Sequence, residues 1–349
     1  MNADACTLPD QPPVLIDRRG HAGVITLNRP RALNALTHEM VAIMSRTLAE
    51  WAGDPTISTV VLAGSGDRGL CAGGDIVAIY EDARTGGTGT EDFWRDEYDL
   101  NALIAEYPKP YVAFMDGIVL GGGVGVSAHA SHRVVTERTR IGMPETGIGF
   151  VPDVGGTWLL SHAPGELGTY VALTAGHLDA GDALETGLAD HFVHSGDLDA
   201  LLDLLGAVSA DEALREVARA RPPSALADQR DWIDECFGHE DVAGIVQALS
   251  TSGAPAAAVA LEAVSSKSPT ALAVTLRALR TARSMSGLTQ ALDQEYRIAV
   301  RMLRGHDFPE GIRAQVIDKD RTPHWKPATV DDVDPEDVDA YFAPLGAHD

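Results

Sequence analysis

The chain has 349 residues, 45% of them hydrophobic, with 51 acidic against 27 basic side chains and a formal net charge of −24. Such a chain can bury one large core plus a smaller appended unit and is not disordered; its acidic excess argues against nucleic acid or an anionic membrane as partner, because both need basic footprints. Cys6, Cys71 and Cys236 are scattered and form no CxxC pair, which excludes a disulfide framework or a cysteine zinc site and points to a reducing compartment.

The opening MNADACTLPDQPPV lacks an apolar signal core and an Arg-rich transit pattern, and no apolar run reaches the ~18 residues of a membrane span. A cytoplasmic location is expected on these grounds. Residues 14–17 and 23–27 alternate like a hairpin, and 34–52 reads as a helix with Met40, Val41, Met44, Leu48 and Trp51 at helical spacing. A strand over 59–62 leads through the turn Gly64-Ser65-Gly66-Asp67 to Leu70-Cys71-Ala72-Gly73-Gly74-Asp75-Ile76, a small-residue loop before a helical segment. Residues 84–90, rich in Gly and Thr, read as a mobile loop. Further strands over 111–115 and 133–135 continue a strand and helix alternation that specifies a layered α/β domain. From about residue 196 the pattern turns helical, with helices over 198–208, 210–220, 227–237, 241–250, 254–265, 270–284 and 287–303, interrupted at Pro222-Pro223 and Gly253-Ala254-Pro255. The division is thus a core over 1–195 and a helical region over 196–349.

The chemistry concentrates in residues 115–156. Gly121-Gly122-Gly123 follows the apolar Ile118-Val119-Leu120 and opens a helix whose first N–H groups have no partner within the helix. Such groups stabilise developing negative charge, and one oxyanion donor is worth about 2.7–4 kcal/mol in a transition state. A glycine run alone is more often a tight turn; a second loop at Gly73-Gly74 supplies a second, converging donor. Glu145 and Asp153 stand in a Gly/Pro-rich stretch, where isolated carboxylates are commonly caps or solvated turn residues. Glu97 lies among Glu91, Asp92, Asp96 and Asp99, so the run also reads as an exposed acidic helix face. His129 and His132 have no nearby carboxylate or cysteine to complete a metal site.

The AGGD-like loop at 72–75 and the GGG loop at 121–123 resemble those of the enoyl-CoA hydratase/isomerase (crotonase) superfamily, over roughly residues 24–193. The resemblance implies a spiral of ββα units and an oxyanion hole for an acyl-CoA carbonyl at the Gly74 and Gly122 N–H groups. By the same resemblance Arg31, Ala32, Leu33, Ala72, Gly73, Asp75 and Ile76 line the CoA groove, with Gly121 and Gly122 at the acyl group; Arg29 and Arg31 are also candidates for phosphate contact. The hydratases of this superfamily use two glutamates. The first would stand at position 125, which is glycine here and carries no proton. The second matches Glu145, and Asp153 stands where hydratases carry a small residue. MPETxIGxxPDVGG at 143–156, an F-x-x-x-E-Y element at 93–98, and the tail elements around Ser268, Glu295, Asp307 and Asp318 are similar to the 3-hydroxyisobutyryl-CoA hydrolase branch.

That branch implies hydrolysis of a short 3-hydroxyacyl-CoA thioester, 3-hydroxyisobutyryl-CoA from valine breakdown in the first place, with 3-hydroxypropionyl-CoA as another candidate. Glu145 would be nucleophile or base, Asp153 would orient the substrate hydroxyl or water and assist proton transfer, and Glu97 would contact substrate. No metal or redox cofactor is called for, since coenzyme A is part of the substrate. Two alternatives stand beside this: a hydratase or isomerase using Glu145 alone, and a non-catalytic acyl-CoA-binding protein. A homo-oligomer is common in the superfamily, although the long helical tail is placed to cover the surface that hydratases use for assembly.

Overall fold

The computed structural model describes residues 12–346; Cys6 and the first eleven residues, on which the reading of the N-terminal segment rests, lie outside them. Val14–Arg19 (β1) and Ala22–Leu27 (β2) form the expected hairpin, paired antiparallel from Val14 opposite Leu27 to Arg19 opposite Ala22. Then come His38–Gly53 (α1), Thr59–Gly64 (β3), Gly69–Cys71 (β4), Ile76–Thr85 (α2), Gly89–Ala105 (α3), Tyr111–Met115 (β5), Ile118–Leu120 (β6), Gly122–Gly125 (α4), His132–Val135 (β7), Arg140–Gly142 (β8), Gly156–Ser161 (α5), Leu167–Thr174 (α6), His177–Leu178 (β9), Ala180–Glu185 (α7) and His191–Phe192 (β10).

The strands form two sheets, one ordered β1-β2-β3-β5-β7-β10 and the other β4-β6-β8-β9, and from β3 to β8 successive strands alternate between them. Each turn of the chain therefore adds one strand to each sheet before a helix or helical turn, which is the ββα spiral of the crotonase fold. The first sheet is parallel from β2 to β10 and buried on both faces, as parallel sheets must be. Along β3, Val60 and Leu62 face the main core, whereas Val61 joins Val112, Phe114 and Val134 against Leu201, Leu205, Ala213 and Leu214 of Leu198–Leu205 (α8) and Ala210–Val217 (α9). The period-2 alternation of a strand is thereby used twice.

The rest of the tail comprises Arg230–Phe237 (α10), Val242–Thr251 (α11), Pro255–Ser265 (α12), Pro269–Ala282 (α13), Leu288–Arg304 (α14), Asp307–Ile312 (α15) and Pro335–Phe342 (α16). Its residues share one hydrophobic cluster with the spiral, extending from Val14 to Val338.

Two local expectations are corrected. The helix read over 34–52 starts only at His38, with the Thr37 side chain accepting from Met40 N–H at 3.3 Å. Leu33 and Asn34 adopt left-handed backbone with φ of 52° and 56°, and Leu36 is taken by the Gly73–Asp75 loop, bonding to Gly73 O and from Asp75 N at 2.8 and 2.9 Å. The loop read over 84–90 shrinks to residues 86–88, because Thr85 ends α2 and Gly89 begins α3. Asp82 fastens that turn, its carboxylate accepting from Thr90 N at 2.8 Å.

Candidate active site

Strands β4, β6 and β8 are parallel neighbours. Their carboxyl ends lie side by side, so the segments that follow, Ala72–Gly74, Gly121–Gly122 and Met143–Glu145, emerge at one edge of the second sheet. Glycine is required there. Gly73 and Gly121 have φ of +103° and +49°, which L side chains rarely adopt. A Cβ on Gly121 would lie 2.8 Å from Glu145 Oε1, and one on Gly122 would lie 2.5 Å from Glu97 Oε1 and 3.5 Å from Gly74 N. The bare backbone of both loops and two carboxylates thus converge on one spot. Gly122 opens α4, where its N–H has no acceptor within the helix.

The spot lies in a cavity of about 540 Å³ lined by Ala72, Gly73, Gly74, Ile76, Glu97, Gly121, Gly122, Glu145 and Asp153 among others. Of the residues singled out from sequence, Arg31, Ala32, Leu33 and Asp75 are not on its wall. Arg31 and Ala32 are exposed on the short turn Pro30–Ala32. Leu33 contributes its carbonyl, which accepts from Ala72 N at 3.0 Å and so anchors the glycine loop. Asp75 pairs with Arg29 at 3.0 Å and borders a smaller cavity of about 280 Å³; Arg29 also donates to Ala35 O at 2.6 Å, so its guanidinium serves the loop.

Glu97, Glu145 and Asp153 are 2%, 7% and 6% exposed. The acidic run around Glu97 divides by face: Asp92, Asp96 and Asp99 point to solvent, while Glu97 turns inward with Phe93, Trp94 and Tyr98. Burial, and then the charge of Asp153, holds the Glu97 and Glu145 carboxyls well above the ordinary range. Burial also pushes Asp153 up to about 7, opposed by the Tyr98 hydroxyl, which donates to Asp153 Oδ2 at 2.6 Å. Glu97 Oε1 and Glu145 Oε2 are buried and make no hydrogen bond within the described protein. Three carboxyls with raised proton affinity around one cavity can share and pass a proton.

Position 125 is sealed. A Cβ on Gly125 would lie 2.6 Å from Val154 Cβ and 3.0 Å from Asn101 Nδ2, leaving no room for a glutamate. Val154 itself has φ of 53°, a rare conformation for a β-branched residue. It is held there: Val154 O accepts from His129 Nε2 at 2.8 Å, and burial lowers His129 to about 4, so the ring is neutral and Nε2 carries the proton. His132 is half-buried, its Nε2 3.3 Å from the exposed Asp211 carboxylate. Among the described residues no group of three His, Cys, Asp or Glu side chains is placed to hold a metal ion.

Sequence reading missed Tyr98, Glu295, Lys267 and an aromatic wall. Trp94 stacks on Phe150 at 5.3 Å and Phe150 on Phe308 at 4.3 Å. Lys267, on the cavity wall with Arg321, has its pKa lowered by burial. Tyr98 and Trp94 stand in the F-x-x-x-E-Y element, Phe150 in the 143–156 motif, and Glu295 and Phe308 in or beside the tail elements, so the motifs mark their segments, but local pattern does not show that these side chains, or Lys267, gather around one site.

A family model described as enoyl-CoA hydratase/isomerase matches residues 22–342. A 3-hydroxyisobutyryl-CoA hydrolase of rat mitochondria is 43% identical over 96% of this chain and 90% of its own length. A solved carnitinyl-CoA dehydratase from Mycobacterium thermoresistibile superposes with a TM-score of 0.93 at 50% identity, covering 97% of this chain and 98% of its own. An enoyl-CoA hydratase from Rhodobacter sphaeroides 2.4.1 gives 0.90 at 44% identity, covering 95% and 98%. The cytoplasmic location expected from the N-terminal segment is overturned by these relatives, since the hydrolases of rat, chicken, mouse and human are all named as mitochondrial. Fold, glycine loops and full-length similarity agree that the chain belongs to the enoyl-CoA hydratase/isomerase family.

Proposed function

We propose that this protein hydrolyses the thioester of a short 3-hydroxyacyl-CoA, with 3-hydroxyisobutyryl-CoA as its substrate and 3-hydroxyisobutyrate and CoA as products, a step of valine breakdown. The observation that carries the reading is the pairing of Glu145 with Asp153 beside both glycine loops while position 125 is closed to a second glutamate. Hydrolase relatives at 41–43% identity over nearly the whole chain support it.

The thioester oxygen accepts from the Gly74 and Gly122 N–H groups, which stabilise the charge it gains as the carbonyl carbon becomes tetrahedral. Glu145, in its ionised form, attacks that carbon or takes a proton from the water that does; in either case the C–S bond breaks, the sulfur leaves with the electron pair and is protonated, and water supplies the acid's second oxygen. Asp153, poised near neutral pH, holds the substrate hydroxyl or the water and moves the proton. Glu97 contacts the substrate from α3. The scheme uses no metal or redox cofactor. We also infer that residues 1–195 form the core that carries the glycine loops and the catalytic carboxylates, and 196–349 a helical region that contributes to the cavity wall.

The names of the two solved relatives favour one second reading, the addition or removal of water at the C2–C3 bond of an acyl-CoA. Purified protein given 3-hydroxyisobutyryl-CoA, with free thiol followed by a colorimetric reagent, is compared with crotonyl-CoA followed by loss of enoyl absorbance. Thiol release without enoyl turnover supports the hydrolase; enoyl turnover without thiol release replaces it with the hydratase, and neither activity points to an acyl-CoA-binding protein.

A further inference from the structure

Asp153 sits on a stretch of backbone that is fastened at every residue. Gly156 N donates to Asp153 O at 2.6 Å, and His129 holds Val154 O. The remaining anchor comes from the far end of the chain. Glu295 on α14 is fully buried; its Oε2 accepts from Gly155 N at 2.6 Å and its Oε1 from Thr157 N at 2.9 Å and from the Thr157 hydroxyl. One carboxylate therefore spans both sides of Gly156 and fixes the entry into α5. Gly155 has φ of +81°, and a Cβ there would lie 2.5 Å from His129 Nε2 and 2.7 Å from Leu288 Cδ1, so the loop is wedged between α14 and the histidine.

We propose that Glu295 is the positioning residue of the site: by bridging Gly155 and Thr157 it holds Val154 in its left-handed conformation and aims the Asp153 carboxyl at the cavity, where Tyr98 meets it. A buried carboxylate is a costly way to pin a loop, and an apolar contact would give the same stability more cheaply. What the carboxylate adds is direction, since two oxygens bound to three donors leave the loop a single register. Burial pushes Glu295 up to about 8, against the pull of its three donors. Glu295 does not line the cavity, so it acts through Asp153 and not on the substrate.

The test is a double-mutant cycle on Glu295→Gln and Asp153→Asn, run on whichever turnover the wild-type protein shows. The inference rests on the proposed reaction only in the choice of assay. A Gln side chain keeps the volume but cannot accept from all three donors, and a misplacement of about 1 Å is expected to lower kcat by roughly 10- to 100-fold with KM little changed. In the Asp153→Asn background the same substitution should have no further effect on kcat, because the group it positions is already gone. A crystal structure of Glu295→Gln should show the Tyr98 to Asp153 bond lengthened beyond the 2.6 Å of the wild type, a readout independent of which reaction is catalysed. If Glu295→Gln does not fold, Thr157→Val, which removes one donor and leaves the two backbone bonds, should lower kcat by roughly 2- to 10-fold with the same dependence on Asp153. An unchanged kcat, effects that multiply in the double variant, or an undisplaced Asp153 would each overturn the proposal.

Discussion

Replacing Tyr98 by Phe removes one hydroxyl from the site and leaves its volume intact. That hydroxyl donates to Asp153 Oδ2 at 2.6 Å, and both residues are buried. A hydrogen bond to a charged partner contributes about 1.5–3 kcal/mol, and one pKa unit corresponds to about 1.36 kcal/mol. The bond favours the ionised carboxylate, so its loss should raise Asp153 from about 7 by roughly 1–2 units. The sign follows from the charge: without the donor, Asp153 keeps its proton to higher pH. Thiol release measured from pH 5 to 10 should show the limb belonging to Asp153 displaced upward by that amount in Tyr98→Phe, whether activity needs the carboxylate or the carboxylic acid. A limb that stays in place, or moves to lower pH, would refute the assignment of the near-neutral group to Asp153.

Glu145→Gln should lower thiol release by about 10²–10⁴-fold, the usual contribution of a positioned proton-transfer group, with circular dichroism unchanged. Asp153→Asn should keep a measurable turnover, lowered by about 10²–10⁴-fold, yet be more heat-stable than wild type at pH 8: the fold binds the Asp153 proton more tightly than the unfolded chain does, so stability is lost as pH rises from the ordinary 3.8 to about 7. The gain in Tm should vanish near pH 4, where the wild-type carboxyl is itself neutral. Gly125→Ala should cost about 1–3 kcal/mol by overpacking against Val154, seen in denaturant titration; Gly125→Glu should gain no crotonyl-CoA hydration, because no space receives the side chain.

The glycine loops were legible because conformational freedom is a property of the residue itself. Gly73 and Gly121 need positive φ at the ends of short strands, and sequence shows both the strands and the glycines. Glu145 and Asp153 were legible by their place in a motif, but their burial was not, and burial decides their proton affinity. Glu97 shows the limit: its neighbours Asp96 and Asp99 are exposed, as an acidic helix face predicts, and only the direction of α3 against the core turns Glu97 inward. Residues 34–36 failed as helix because Leu36 is claimed by the backbone of the Gly73 loop, a partner that no local propensity encodes. Tyr98 and Glu295 hold Asp153 across 55 residues and, through Gly155, across 140; such contacts exist only after the chain has folded.

The tail is part of this site and no mere cover for it. Asp307, at the start of α15, is held by the Ser268 hydroxyl at 2.6 Å and by Lys326 N at 2.8 Å, so it gathers the start of α13 and the strap after residue 320 onto one carboxylate. Its carbonyl lies 2.5 Å from where a Cβ on Gly149 would stand, and Gly311 packs equally closely on Ile148, so α15 is seated directly on the turn that carries Glu145. That seating brings Phe308 onto Phe150 and places Gln315, Val316, Arg321 and Pro323 on the cavity wall. The spiral thus carries the carboxylates, while the walls around them are drawn from both the spiral and the tail. A ligand that reaches Glu145 is therefore enclosed on one side by the tail, and the volume it finds there depends on Lys267, Phe308 and Val316 as much as on the glycine loops.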